Sequence, residues 1–175
     1  MINRITLKYG LISGFIAASG FTLFMILSKL YDSETEKMGF GELIGSTFLF
    51  LAMTLVFFGL RSIRSKNMGA LSFKQAFLNG LMIVLVSSSI YVIGWMVLYP
   101  ILLPDFADQY LASQIEILES NNLDPDTLRK EVEELKAFNE NYKRPHIMAS
   151  YTFLEIFPLG LIATLISSLI LRRKD

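Results

Sequence analysis

Four blocks of nearly unbroken apolar residues occupy about residues 7–30, 41–60, 77–98 and 149–171, separated by charged segments. They lack both the period-2 alternation of a half-buried strand and the narrow stripe of a surface helix. About 20 such residues, each rising 1.5 Å, cross a ~30 Å hydrocarbon core. Lipid offers no partner to a free backbone amide, so each block predicts a helix. The pattern predicts an all-α, integral-membrane four-helix bundle in which 1–175 is one membrane domain.

The stretch 105–143 breaks the pattern. Asp105 opens a predicted helix as N-cap, with Asp108 in its first turn and Phe106, Tyr110, Ile117 and Leu118 as its apolar residues. Asn121 and Asn122 end it, and Asp124-Pro125 starts a second helix with proline at its first position. There Leu128, Val132, Leu135, Phe138 and Tyr142 recur at spacings of three and four, one apolar stripe. Two amphipathic helices joined by a short polar turn predict an antiparallel helical hairpin between spans three and four. Its stripes either pack on each other as a structural cap or offer a docking surface.

Charge sets the direction. Arg4 and Lys8 precede span one, Arg61, Arg64, Lys66 and Lys74 lie between spans two and three, and Arg172, Arg173 and Lys174 follow span four. The other side carries Asp32, Glu34 and Glu36 with Lys37, and a long segment, 104–148, with ten acids and five bases. Excess Lys and Arg mark the cytoplasmic side, so both termini are expected in the cytoplasm and the hairpin in the periplasm of a bacterial inner membrane. Trp95, Tyr99 and Tyr151 fall at the outer span ends and Tyr9 at the inner end of span one, as an aromatic belt requires, and Lys29 can snorkel outward. The first block, which has no Ala-x-Ala-like cleavage site, reads as a retained span. Lys8…Gly14 and Lys74…Gly80 share a Lys-x5-Gly spacing, a faint echo that either a duplicated helix pair or a common basic entry produces.

Composition narrows the chemistry. With no cysteine and one histidine, thiolate or His-cluster metal sites are excluded within one chain. A net charge of zero gives no electrostatic reason for nucleic acid. Phosphate loops, nucleophile–base orders and zinc motifs are missing, so neither a cofactor nor catalytic residues are expected.

The candidate site is Glu155, a carboxylate inside span four. An acid there usually faces a bundle interior and finds a partner. Tyr91, Ser87, Ser88, Ser89 and His146 are possible companions, and Pro158 frees the carbonyl of Leu154 beside it. The group is open to two readings, a proton- or cation-responsive carboxylate or a hydrogen-bonded structural acid. Gly10, Gly14 and Ala18, Gly41 and Gly45, and Gly160, Thr164 and Ser168 put small residues on helix faces, where close packing within the chain or between copies follows. Ser72-x-x-Gln75 reads as a capping box opening span three.

Leu71-Ser-Phe73-Lys74-Gln-Ala76-Phe77-x-x-Gly80, Ile90-Tyr91-Val-Ile-Gly94-Trp95, Pro104-Asp105-Phe106 and Glu155-Ile-Phe157-Pro158-Leu-Gly160 together resemble the bacterial membrane-protein family called domain of unknown function 4199. The resemblance covers nearly the whole chain and implies a small four-span protein with a polar segment between spans three and four. It implies no activity. The expectation is a non-enzymatic membrane protein in contact with lipid, acting through its hairpin on a periplasmic or membrane protein or by homo-oligomerisation. The alternative is a small ion-coupled transporter or permease subunit using Glu155.

Overall fold

The computed structural model describes residues 3–27, 34–102, 104–121 and 123–173. Lys29, Asp32, Asn122, Lys174 and the last residues assigned to span one lie outside them. Among the described residues there are six helices and no strand: α1 (Arg4–Leu27), α2 (Glu34–Lys66), α3 (Phe73–Leu102), α4 (Phe106–Ser120), α5 (Pro125–Tyr142) and α6 (Pro145–Leu171). Among the described residues three stretches, against the four expected, are long and apolar enough to cross a membrane: Leu43–Lys66, Phe73–Leu102 and Pro145–Leu171. The helices overrun the apolar blocks: α3 begins four residues before the block at 77 and α6 four before 149. Hydropathy marks what lipid tolerates, whereas capping marks where the helix starts.

The starts are set by side chains. Asn3 Oδ1 accepts from the amides of Ile5 and Thr6, both at 2.8 Å, and caps α1. The Ser72–Gln75 box forms reciprocally, Gln75 N donating to Ser72 Oγ at 3.3 Å and Ser72 N to Gln75 Oε1 at 3.2 Å. Asp124 caps α5 by accepting from Asp126 N and Thr127 N at 3.1 Å, ahead of Pro125. Asp105 occupies the N-cap position of α4 but makes no capping hydrogen bond. After α2, Met68 and Gly69 take positive φ of 50° and 85°, and Gly69 N donates back to Arg64 O at 2.9 Å, turning the chain into α3.

α1 packs on α2 and α3, α6 packs on α3 and α2, and α2 also meets α3. Asn3 Nδ2 donates to Asn79 Oδ1 at 3.0 Å, and Arg173 N donates to Leu71 O at 2.9 Å. These two bonds bring the start of α1, the α2–α3 turn and the end of α6 to one end of the molecule.

Small residues let the helices approach. A Cβ on Gly10 would lie 2.7 Å from Val86 Cβ, on Gly14 2.6 Å from Ile90 Cβ, and on Gly80 2.6 Å from Thr164 Cγ2, and one on Gly160 would collide with Val84. Gly45 has open space around its Cα, so it is not a contact point. The tight glycine of α2 is instead Gly59, against Ile83 and Tyr9 of α3 and α1. A buried polar tie accompanies this packing: Ser13 Oγ donates to Ala52 O at 2.8 Å and accepts from Ser87 Oγ at 3.0 Å, joining α1, α2 and α3.

α4 and α5 pack against each other, and α4 also touches α2 and α5 touches α6. In α4 Ala107 and Ser113 are buried and Leu111, Gln114, Ile115 and Leu118 half-buried, whereas Tyr110 and Ile117, which the sequence suggested for its apolar face, are exposed. Asp108 holds the pair together, its Oδ1 accepting from Asn139 Nδ2 and Lys143 Nζ, both at 2.9 Å.

Candidate intramembrane polar site

Tyr91 follows Ser87 by one turn of α3 and is buried at 6% exposure among Ala17, Leu49, Ala52, Met53 and Ile156. Its Oη donates to Glu155 Oε1 at 3.2 Å. The pairing follows from antiparallel register: Gly80 meets Thr164, Val84 meets Gly160, and Tyr91 two turns on meets Glu155. Glu155 is exposed on the single chain rather than enclosed. It stands at the rim of the buried stripe Met148, Thr152, Ile156 and Gly160 of α6. The physical reason is angular: residue 155 lies about 100° of helix turn from 156, so its stem is at the edge and its carboxylate reaches back.

The other companions separate. Ser87 is used by Ser13, and Ser89 is exposed and donates to Leu85 O at 2.8 Å. Ser88 is fully buried with no hydrogen-bond partner for its Oγ, as are Thr164 and Ser168 of the α3–α6 seam. His146 does not join the site. It is exposed in the first turn of α6, nine residues before Glu155 or about 13 Å along the axis. Pro158 is exposed and sits inside α6, which runs through it from Pro145 to Leu171. Its missing amide leaves the Leu154 carbonyl without a helical partner one residue from Glu155.

Above the pair lies a cluster not apparent in the sequence. Trp95 Nε1 donates to the Tyr142 hydroxyl at 3.1 Å, and Trp95 stacks on Tyr99 with ring centres 5.3 Å apart. Phe138 stacks on Tyr142, and its ring meets Tyr151 edge-on at 5.1 Å. These rings join α3, α5 and α6, and Tyr99, Ala107 and Met148 are buried beneath them. Trp95 and Tyr99 therefore pack under α5. Single-helix periodicity carries no information about a helix that folds back from 40 residues downstream. The available signal was the run of rings at matching turns, Tyr91, Trp95 and Tyr99 on one helix and Phe138 and Tyr142 on another.

The electrostatics outside the spans centre on Asp108. Hydrogen bonds from Lys143 and Asn139 hold its carboxyl below the usual range, and the same contact with Asp108, then Glu140, raises the Lys143 ammonium. Thr127 lowers the Asp124 carboxyl in the same manner. No cluster of three or more potential metal ligands exists among the described residues. Tyr91 and Glu155 together supply a donor–acceptor pair able to hold a proton or face a cation.

No curated protein and no solved structure matches the chain. Residues 8–173 do match a family, from before the tight glycines of α1 to beyond the end of α6. With the Tyr91, Gly80, Glu155 and Gly160 positions all inside the match, the chain belongs to the family described as protein of unknown function (DUF4199).

Proposed function

We propose that this is a non-enzymatic integral protein of a bacterial inner membrane, a four-helix bundle of α1, α2, α3 and α6 with both termini cytoplasmic and α4–α5 as a periplasmic helical hairpin. In this reading the hairpin is a contact surface for a protein partner or a second copy. The supporting observation is the α4–α5 pair itself. It is tied to the membrane helices by the Trp95–Tyr142 bond and the aromatic cluster, yet Tyr110, Ile117 and Leu123 remain exposed on it. These side chains leave apolar surface on the pair that a partner could cover, and the clamp at Asp108 keeps that surface ordered.

The test is crosslinking of the full-length chain in membranes, compared with a chain in which 106–142 is replaced by a flexible linker. Carbonate-resistant membrane association should survive in both. Loss of the crosslinked partners or of the self-crosslinked dimer supports the proposal, and an unchanged crosslinking pattern sinks it.

The Tyr91–Glu155 bond favours a second reading, a small ion-coupled transporter or permease subunit. Proteoliposome flux decides it: a proton or cation flux that Glu155→Gln abolishes supports transport, and a flux indifferent to residue 155 removes it.

A further inference from the structure

A groove of about 500 Å³ opens between α1 and α2 at the end of the molecule where the start of α1, the α2–α3 turn and the end of α6 meet. Ile5 and Tyr9 of α1 form one wall, and Phe58, Arg61, Ser62, Ser65 and Lys66 of α2 form the other. Spacing builds the second wall: residues 58, 61, 62 and 65 fall at i, i+3, i+4 and i+7, one helix face. Close packing at Gly59, where an added Cβ would lie 3.2 Å from Tyr9 Cβ, fixes α1 against α2 here. Phe58 lies one turn nearer the middle of α2 than Arg61 and Ser62 and is 47% exposed, and Leu51, seven residues before it on the same face, is 51% exposed. The polar part of the groove therefore opens onto apolar surface. Within the chain that polar part has nothing to bind. Among the described residues no carboxylate pairs with Arg61 or Lys66, and the Ser62 and Ser65 hydroxyls make no hydrogen bond. Arg64, between them, differs: its Nε donates to Gly69 O at 3.3 Å, which ties it to the turn. From Met1 to Tyr31, Leu43 to Pro104 and Ile156 to Lys174 the chain has no acidic residue, so the described segments that meet here supply no anion.

We propose that this groove holds the phosphate diester of one anionic glycerophospholipid from the leaflet at the basic end. Arg61 and Lys66 meet the phosphate charge, Ser62 and Ser65 donate to its oxygens, and an acyl chain runs past Phe58 along α2. A planar guanidinium fork flanked by hydroxyl donors matches phosphate geometry. A basic end that only set orientation would need charge, but neither the two free hydroxyls nor an apolar wall beside them. A free phosphate would leave Phe58 and Leu51 uncovered. An acidic peptide would bring amides against that apolar face without partners, since Thr54, the polar residue between Leu51 and Phe58, already donates to Leu51 O at 2.7 Å. The groove lies at the end of Leu43–Lys66, a stretch long and apolar enough to cross a membrane, where headgroups would stand. The site rests on the membrane reading proposed above: release of the chain by carbonate would remove that premise, whereas an integral chain whose lipid binding ignores these residues would overturn the inference alone.

The experiment is native mass spectrometry of the full-length chain in mild detergent, with equimolar phosphatidylglycerol and phosphatidylcholine. One retained phosphatidylglycerol per chain is expected. Arg61→Gln should cut the preference for the anionic lipid about tenfold, the share of one charge-assisted contact. Lys74→Gln removes the same charge at the same end but outside the groove, and should leave the preference unchanged. The double variant Ser62→Ala/Ser65→Ala keeps every charge and should lower retention about fivefold. Ser65→Trp fills the groove from an exposed position and should abolish the adduct while thermal melting stays unchanged. Equal retention of both lipids by the wild type, equal losses in Arg61→Gln and Lys74→Gln, an unchanged adduct in the serine double variant, or displacement of the lipid by inorganic phosphate alone or by an oligoglutamate peptide would each overturn it.

Discussion

Gly160 and Gly45 look alike in the sequence, each a small residue in an apolar helix, yet a Cβ would collide with Val84 at the first and meet nothing at the second. Gly160→Ala is expected to destabilise the fold by about 1–3 kcal/mol through overpacking. Gly45→Ala should be neutral or stabilising by up to about 1 kcal/mol, since alanine is the better helix former. Unfolding of both variants in detergent checks the contrast, and equal effects would mean that the α3–α6 approach is not tight at Gly160. Tyr91→Phe leaves the Glu155 carboxyl without its hydrogen-bond donor and should lower stability by about 1–3 kcal/mol. In a double-mutant cycle with Glu155→Leu the two losses should be strongly non-additive. Additive losses would show that the 3.2 Å bond contributes nothing.

At the scale of elements, the α4–α5 pair is fastened by charge, so its docking should depend on pH. The Asp108 carboxyl is held below its unfolded value, so its contribution is present above the usual carboxylate range and is lost as pH falls through the folded value. Lys143 is raised, so its contribution is present below the usual ammonium value and fades only as pH rises through the folded one. Docking should therefore be constant across neutral pH and loosen in acid. Trp95 is the sole tryptophan and donates to Tyr142 of α5, so its emission reports the contact directly. Asp108→Asn should remove the acid transition in that emission. An acid transition that persists in the variant assigns it to another group. Tyr142→Phe should shift the emission at neutral pH while leaving the helix content of the membrane segments intact.

For the whole molecule, the hydrogen bonds Asn3–Asn79 and Arg173–Leu71 place the start of α1, the α2–α3 turn and the end of α6 together. Basic residues Lys8, Arg61, Arg64, Lys74 and Arg172 cluster at that same end. Reporter fusions after Asp175 and within 66–72 should both report the cytoplasm, and one within 121–124 the periplasm. Opposite signals from the first two would break the proposed topology. Neutralising Arg61 and Arg64 together is expected to yield a mixed-orientation population in the same assay, since they contribute half of the basic residues of the α2–α3 segment.

The chain by itself determined the helical class, the long apolar elements, the Ser72–Gln75 and Asp124–Pro125 starts and the stripe of α5. Each depends on neighbours within a few residues, where periodicity, capping chemistry and hydropathy act directly. Glu155 was also legible, because a lone acid in an apolar run stands out whatever surrounds it. Its partner was only one of several companions, and which one it met was decided by the antiparallel register of α3 and α6, as set by Gly80 against Thr164 and Gly160 against Val84. The tertiary structure alone separated His146 from that site, packed Trp95 and Tyr99 beneath α5, and chose Gly59 over Gly45 as the close contact of α2. Those outcomes depend on which helix faces meet and at what depth. That is a property of side-chain fit between segments far apart in the chain, and no local pattern encodes it.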